Sequence, residues 1–488
     1  MLFKHLRKIL VLLFSLTLAG INCLFKMFGI AELLSGIKSF NFRTFFSEGH
    51  ARSVKTKQNI GLSFLLKGCS IIISFLIVPI TIEYLTPFNY GIWLTLTSII
   101  GWFTFFDMGL GNGLRNKFAE ALAHGDKERA KVYVSTTYAI ITIAFLSVFV
   151  LFAIIFPFLN WASILNVPAD MEKEIARLTF VVVGFFCFQF ILKLISSILA
   201  GDQRTALNSS LNTLVNFLSL VVVFILTKTT QGSLLYLGMS ISFMNLLVPL
   251  VVSILLFGGQ YKEYRPSLKY VKWKYAPDLM KTGGNFFVMQ IAAIIVFSTD
   301  NIIIAQLFNP EEVTSFNIVF KYFGVVTMVF NIITTPFLSA YTEAYHKQDF
   351  AWIKRVTRKL TASWLLLALV VVAMIFFADY FYKFWIGNKV RIPKTLSLIM
   401  GFWVIIGTWT SIFANFLSGV GKVRLCIYHS VVVTIVNIPI CIFFAKNLGM
   451  GVVGITLGTC VCVLPQVILS PLQYSKIIHK KDSGIWGK

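Results

Sequence analysis

Charge is what this sequence has least of. Asp, Glu, Lys and Arg make up 13% of its 488 residues, and acidic residues number only 20. An average soluble domain carries roughly a quarter charged residues, so a chain that is 57% hydrophobic is not one. Period-two alternation is missing from the long apolar runs, which excludes a transmembrane β-barrel. The seven cysteines lie mostly inside those runs, as small hydrophobes do, and imply no disulfide framework. Cys460 and Cys462, two apart on a helix, face different ways, so no metal site is expected. No GxxxxGK(S/T) occurs, so a P-loop ATPase is excluded. Gly109-x-Gly111-x-Gly113 has no strand before it and no βαβ unit around it, and is no nucleotide fingerprint. No cofactor is expected.

What is present is a series of apolar runs of about 20 residues, each long enough to cross ~30 Å of hydrocarbon. They read as spans at 59–83, 88–112, 132–159, 175–199, 207–228, 233–257, 280–306, 312–340, 359–383, 396–419, 424–446 and 450–472. The expected fold is therefore an all-α polytopic membrane protein of twelve helices. The formal charge of +23 tempts a nucleic-acid reading. Lys and Arg, however, sit mainly in short connections, where such a bias reports orientation and attraction to anionic membrane lipids. Even-numbered connections are basic (Arg115, Lys117, Lys127; then Arg204; then Lys262 to Lys274), whereas Glu83–Pro87 and Phe308–Glu311 carry no cation. Both termini are expected in the cytoplasm. The connection with Lys389, Arg391 and Lys394 breaks the rule.

The chain reads as one half written twice. Glu120, Ala121, Asp126 and Lys131 match Glu343, Ala344, Asp349 and Lys354, each 223 positions on (343 − 120 = 223), and Pro87 and Pro310 keep that offset. Leu199-Ala-Gly-Asp-Gln-Arg204 resembles Leu417-Ser-Gly-Val-Gly-Lys-Val-Arg424, and Leu237-Gly238 resembles Leu457-Gly458. Six spans per half is an even number, so the halves share one orientation. Parallel repeats of this kind are a secondary-transporter architecture, with the site between halves. The expected divisions are a basic leader at 1–57 with one short apolar segment, a lobe at 58–257, a linker at 258–277, a second lobe at 278–475 and a basic tail at 476–488.

Ionisable residues inside spans are costly and mark function by default. Lys67, Lys193, Asp300 and Lys321 fall in spans, Asp107 falls near the cytoplasmic end of the second, and Arg115 follows it. Depth along the helices, at ~1.5 Å per residue, makes Lys67 with Asp107 and Asp300 with Lys321 the natural pairs. Three roles stay open: ion pairs within each lobe, cavity groups for an anionic substrate, or snorkelling to the interface. Gly109, Gly111 and Gly113 loosen the end of the second span, and Pro336 kinks the eighth, which makes them hinge candidates. The many Phe residues are expected to face lipid.

Three functional classes compete. A polyprenyl-dependent membrane glycosyltransferase or ligase needs acids or bases on a sizeable outer loop, and the outer connections are short. A multidrug or cation antiporter wants a concentrated acidic cavity, and the intramembrane charges lean basic. A transporter of an anionic lipid-linked sugar fits best, with no enzymatic activity.

The stretch from Ser63 to Asp126, with Tyr90-Gly-Ile-Trp93 and Phe106-Asp-Met-Gly-Leu-Gly111, and Asp300 further on, resembles the Wzx-type polysaccharide-repeat-unit flippases. These belong to the multidrug/oligosaccharidyl-lipid/polysaccharide (MOP) exporter superfamily. The resemblance spans roughly residues 55–475; the leader departs from it. It implies two six-helix lobes in a MATE-like V, in the bacterial inner membrane. It also implies export of an undecaprenyl-diphosphate-linked oligosaccharide, such as an O-antigen repeat unit, by alternating access, with polysaccharide polymerase machinery as a further partner.

Overall fold

The computed structural model describes residues 51–103, 109–280, 298–335, 337–481 and 483–487. Among them there is no strand, and ten helices are long and apolar enough to cross a bilayer. The ten coincide with ten of the twelve expected spans. The other two, at 88–112 and 280–306, include residues outside the described ones, as does the leader up to residue 50.

Residues Gly49–Val313 form one compact unit. It contains α1 (Ala51–Tyr84), α2 (Pro87–Gly101), α3 (Leu110–Ala123), α4 (Lys127–Ile155), the short α5 (Trp161–Leu165), α6 (Glu172–Leu192), α7 (Leu194–Gly201), α8 (Thr205–Thr229) and α9 (Leu234–Gly258). A helical stretch at 298–307, α10, closes it. Helix α1 starts at Ala51, so residues 51–57, expected to be leader, are helical. The fourth span is jointed: α6 stops at Leu192 and α7 begins at Leu194, with Lys193 between them. Helix α1 packs along α8, and α6 lies between α4 and α9.

The phenylalanines divide. Phe158, Phe376 and Phe377 are exposed, as expected of lipid-facing rings. Phe145, fully buried, stacks on Phe190 at 4.3 Å, and Phe152, Phe156, Phe180 and Phe186 join the same cluster between α4 and α6. The expectation of lipid-facing Phe is corrected there. Ring edges and faces attract one another, so aromatic residues gain from packing inside a bundle as well as from facing lipid.

The second unit's described part runs from Thr314. It takes most of α11 (Pro310–Thr334), then α12 (Phe337–His346), α13 (Phe350–Trp385), α14 (Lys394–Gly419), α15 (Arg424–Ile442) with a following π-turn at Phe443–Asn447, and α16 (Gly451–Ile478). Gly458 lets α16 lie against α15, since an added Cβ would stand 2.8 Å from the Cys441 Cα. Trp364 and Trp409 donate their indole N–H groups to the Ile405 and Val467 carbonyls at 2.9 and 3.1 Å. The connection that breaks the charge rule is tied down: Lys394 pairs with Asp379 at 3.3 Å and Ser315 donates to the Arg391 carbonyl at 3.0 Å.

The internal repeat is visible in local geometry. Pro87 and Pro310 are each the first residue of a helix, the position where a missing N–H costs nothing. Asp126 caps α4 by accepting from Arg129 N at 2.9 Å, and Asp349 caps α13 by accepting from Trp352 N at 2.9 Å. The residue before each cap, Gly125 or Gln348, has positive φ (69° and 58°). Phe118 and Tyr341, again 223 apart (341 − 118 = 223), are both fully buried. Gly201 and Gly419 play matching parts: an added Cβ would meet Arg115 O at 2.8 Å in one unit and Leu338 O at 2.7 Å in the other. The same turn between an interfacial helix and the next span is built twice.

Candidate functional site

Three of the candidate cations are exposed on their helices. Lys67 is exposed on α1 beside a polar seam with α8. In that seam Thr213 Oγ1 donates to the Leu66 carbonyl at 3.1 Å and lies 3.3 Å from Ser70 Oγ, to which Asn216 also donates. Lys193 is exposed at the joint between α6 and α7, its ammonium 5.7 Å from the Phe190 ring centroid. Arg115 is exposed on α3 while its carbonyl faces Gly201. Among the described residues none of these three takes part in an ion pair. Lys321, in α11, is half-buried next to buried Tyr322.

Asp300 lies differently. It is buried on α10, between Thr299 and Asn301, both buried too. Asn301 donates its side-chain amide to Ser98 Oγ of α2 at 2.8 Å, and Gly91 of α2 leaves no room for a Cβ against the Pro310 carbonyl. Helix α2 therefore touches α10 through the Asn301–Ser98 hydrogen bond and meets the first residue of α11 at Gly91. Asp300 Oδ1 has no hydrogen-bond partner, and among the described residues Asp300 makes no ion pair. Asp107 and Pro336 lie outside the described residues.

The glycine patch divides by role. Gly109 has φ 72° at the N-terminus of α3, a conformation that favours glycine. Gly111 is half-buried. Gly113 lies inside α3, where an added Cβ would stand 2.4 Å from the Leu279 carbonyl oxygen.

That contact leads to a cluster sequence reasoning missed. Lys117 pairs with Glu120 at 2.9 Å and with Asp278 at 3.4 Å. Tyr133 donates to the same Asp278 oxygen at 3.1 Å, and Arg129 donates to the Tyr133 hydroxyl at 3.2 Å. The hydrogen bond to Glu120, with Asp278 adding to it, holds the Lys117 pKa above the usual lysine value; the same bond holds Glu120 below the usual carboxylate value. The spacing of Lys117 and Glu120, one helical turn, was a readable signal; nothing in the sequence pointed to Asp278. Arg204, expected only as a loop cation, bonds Asp202 at 2.7 Å, and Tyr261 donates to the same carboxylate at 2.5 Å. Together these bonds fasten residues 260–279 to the ends of α3, α4 and α7.

No group of His, Cys, Asp and Glu capable of holding a metal occurs among the described residues. What the described residues offer chemically is exposed positive charge on the helices, suited to binding anions.

Comparison with known proteins points the same way. The family model described as "Polysaccharide biosynthesis protein" matches residues 56–342, and the MatE model matches 286–443. A Yersinia pseudotuberculosis protein named for O-antigen export is 23% identical, over 73% of this chain and 81% of that protein. A Salmonella typhimurium protein named as an O-antigen transporter is 22% identical, over 76% and 84%. Among solved structures, an inward-facing multidrug MATE transporter of the MOP superfamily superimposes with a TM-score of 0.70 at 14% identity, covering 85% of this chain and 96% of its own. The lipid II flippase MurJ, inward closed, gives 0.67 at 14% identity, covering 85% and 87%. The structural likenesses establish the fold: an all-helical membrane protein folded like those transporters.

Proposed function

The chain belongs to the polysaccharide biosynthesis protein family, and we propose that it is a Wzx-type flippase. It moves an undecaprenyl-diphosphate-linked oligosaccharide, an O-antigen or similar repeat unit, from the cytoplasmic to the outer leaflet by alternating access. The observation that supports this reading is that Lys67 and Lys193, on membrane-spanning helices, are exposed and form no ion pair among the described residues. A diphosphate headgroup brings at least two negative charges, and such cations draw it from water into a low-dielectric site. The prenyl chain stays in the bilayer while the glycan crosses, and no bond is made or broken. The O-antigen names of the relatives support the same substrate class.

On this reading the protein lies in the bacterial inner membrane with both termini cytoplasmic, an orientation that the basic even-numbered connections support. Residues 58–257 and 278–475 are its two lobes. Lys67, Arg115, Lys193 and Lys321 face the substrate, with Asp107 and Asp300 as intramembrane acids. Gly109, Gly111, Gly113 and Pro336 serve as hinges, and polysaccharide polymerase machinery receives the product. Expressed in cells lacking their own flippase, Lys67→Ala and Lys321→Ala abolish surface glycan while the protein still inserts in the membrane. Full surface glycan from both variants would make these residues structural and remove the proposed site.

A further inference from the structure

The segment joining α9 to residue 280 is an ordered strap, fixed at a defined depth on α4. Ser267 N donates to Ser135 Oγ and Lys272 N to Thr136 Oγ1, both at 3.1 Å. Lys131 lies 4.3 Å from the Tyr270 ring centroid, and Tyr275 packs edge-on to Tyr133 at 5.5 Å. Helix α4 ends at Ile155, and about 20 residues cross the hydrocarbon. Counting back twenty from Ile155 reaches Thr136. With Ile155 taken as the outer edge of the hydrocarbon, the two hydroxyls that hold the strap lie at its opposite edge.

At that level the strap turns two apolar side chains outward. Leu268 is 90% exposed and Trp273 is 56% exposed. Around them Arg265, Lys269 and Lys274 are exposed, and among the described residues neither Arg265 nor Lys269 forms a salt bridge. The nearby acids are engaged elsewhere: Glu263 with Lys127 at 2.9 Å, Glu128 with Lys272 at 3.5 Å and Asp278 with Lys117 at 3.4 Å. A leucine and a tryptophan among lysines, at the height of the headgroups, is the composition of an interfacial anchor for a negatively charged leaflet. We infer that residues 265–274 bind the anionic lipid surface: Leu268 and Trp273 enter the headgroup boundary, and Arg265, Lys269 and Lys274 bind lipid phosphates. Because the same strap ends at Asp278 and Leu279 on α3, a lipid contact at Trp273 steadies the glycine-bearing helix. This inference holds whatever substrate is carried.

The test uses the full chain reconstituted in vesicles of phosphatidylcholine alone or mixed with phosphatidylglycerol. Ten tryptophans are present, so the emission of Trp273 is taken as the difference between wild type and Trp273→Phe. That difference is expected to be quenched by lipid brominated close to the headgroup, and more so in the anionic vesicles. In the double variant Lys269→Gln, Lys274→Gln, the ratio of lipid-quenched to iodide-quenched Trp273 should fall about fivefold per lysine removed in anionic vesicles, and stay unchanged in neutral ones. Quenching by aqueous iodide alone in both compositions would overturn the inference. Protection from both quenchers that grows with the protein-to-lipid ratio would also overturn it, and would assign the patch to a second protein.

Discussion

Gly113→Ala is a substitution whose sign is decided by two opposed magnitudes. Gly113 is the fourth residue of α3 and has no positive φ, so alanine there gains up to about 1 kcal/mol of helix propensity. Against that, the new Cβ would stand 2.4 Å from the Leu279 oxygen and 3.2 Å from its carbonyl carbon. These are backbone atoms, so no rotamer relieves the clash. Overpacking of this kind costs about 1–3 kcal/mol. Moving Leu279 also stretches the two Asp278 bonds, to Lys117 and Tyr133, worth roughly 0.5–1.5 kcal/mol each in partly exposed positions. The net expectation is a loss of about 1–5 kcal/mol, with the strap loosened. Thermal unfolding in detergent and tryptic cleavage at Lys269 and Lys274 read the two effects. Gly407→Ala, with nothing within 4 Å of an added Cβ, is the control and should leave stability equal or raised. A Gly113→Ala protein as stable as wild type, with the strap equally resistant, would refute the reasoning. A loss of export with unchanged stability would instead identify Gly113 as a hinge.

Two further outcomes follow from the interfacial turns. Asp126→Ala and Asp349→Ala each remove one cap hydrogen bond; each should cost about 1 kcal/mol, and the double variant should show the sum, because separate sites add. Stability against pH should be level through neutrality and fall below about pH 4.5. Glu120 and Glu343 are held below that ordinary value by hydrogen bonds from Lys117 and Lys347, so their stabilisation is present above it and lost as pH falls through the folded values. Lys117→Met should flatten much of the Glu120 share; an acid limb unchanged in that variant would remove the pair from the explanation.

Much of the helical frame was legible because apolar length is a direct reading of bilayer thickness. The duplication was legible for the same reason that it is built twice: Asp126 and Asp349 must each end a turn and start a span, and that task admits few residues. The strap was not legible. Residues 258–277 are polar, basic and broken by Pro266, the composition of a linker. What orders them is a pair of backbone N–H groups meeting Ser135 and Thr136, hydroxyls that inside an apolar run look like ordinary helix residues. The joint at Lys193 was hidden because the residues on both sides are equally apolar. The Phe cluster of α4 and α6 was misread because a phenylalanine has the same hydropathy facing lipid or facing another ring. For the candidate site, Lys67 and Lys193 stand out by charge alone, which reveals cost but not partners; that neither forms an ion pair among the described residues needed coordinates.

The most direct measurement is flipping in purified vesicles. The chain is reconstituted with short-chain analogues of a prenyl-diphosphate-linked and a prenyl-monophosphate-linked oligosaccharide, and the fraction crossing the bilayer is read by an impermeant glycan-binding reagent. The diphosphate-linked lipid should cross in vesicles holding the wild-type chain, faster than the monophosphate-linked one, and Lys67→Ala should lose that preference. Equal passage of both lipids in protein-free vesicles and vesicles with the chain, or transport of an organic cation in their place, would contradict it.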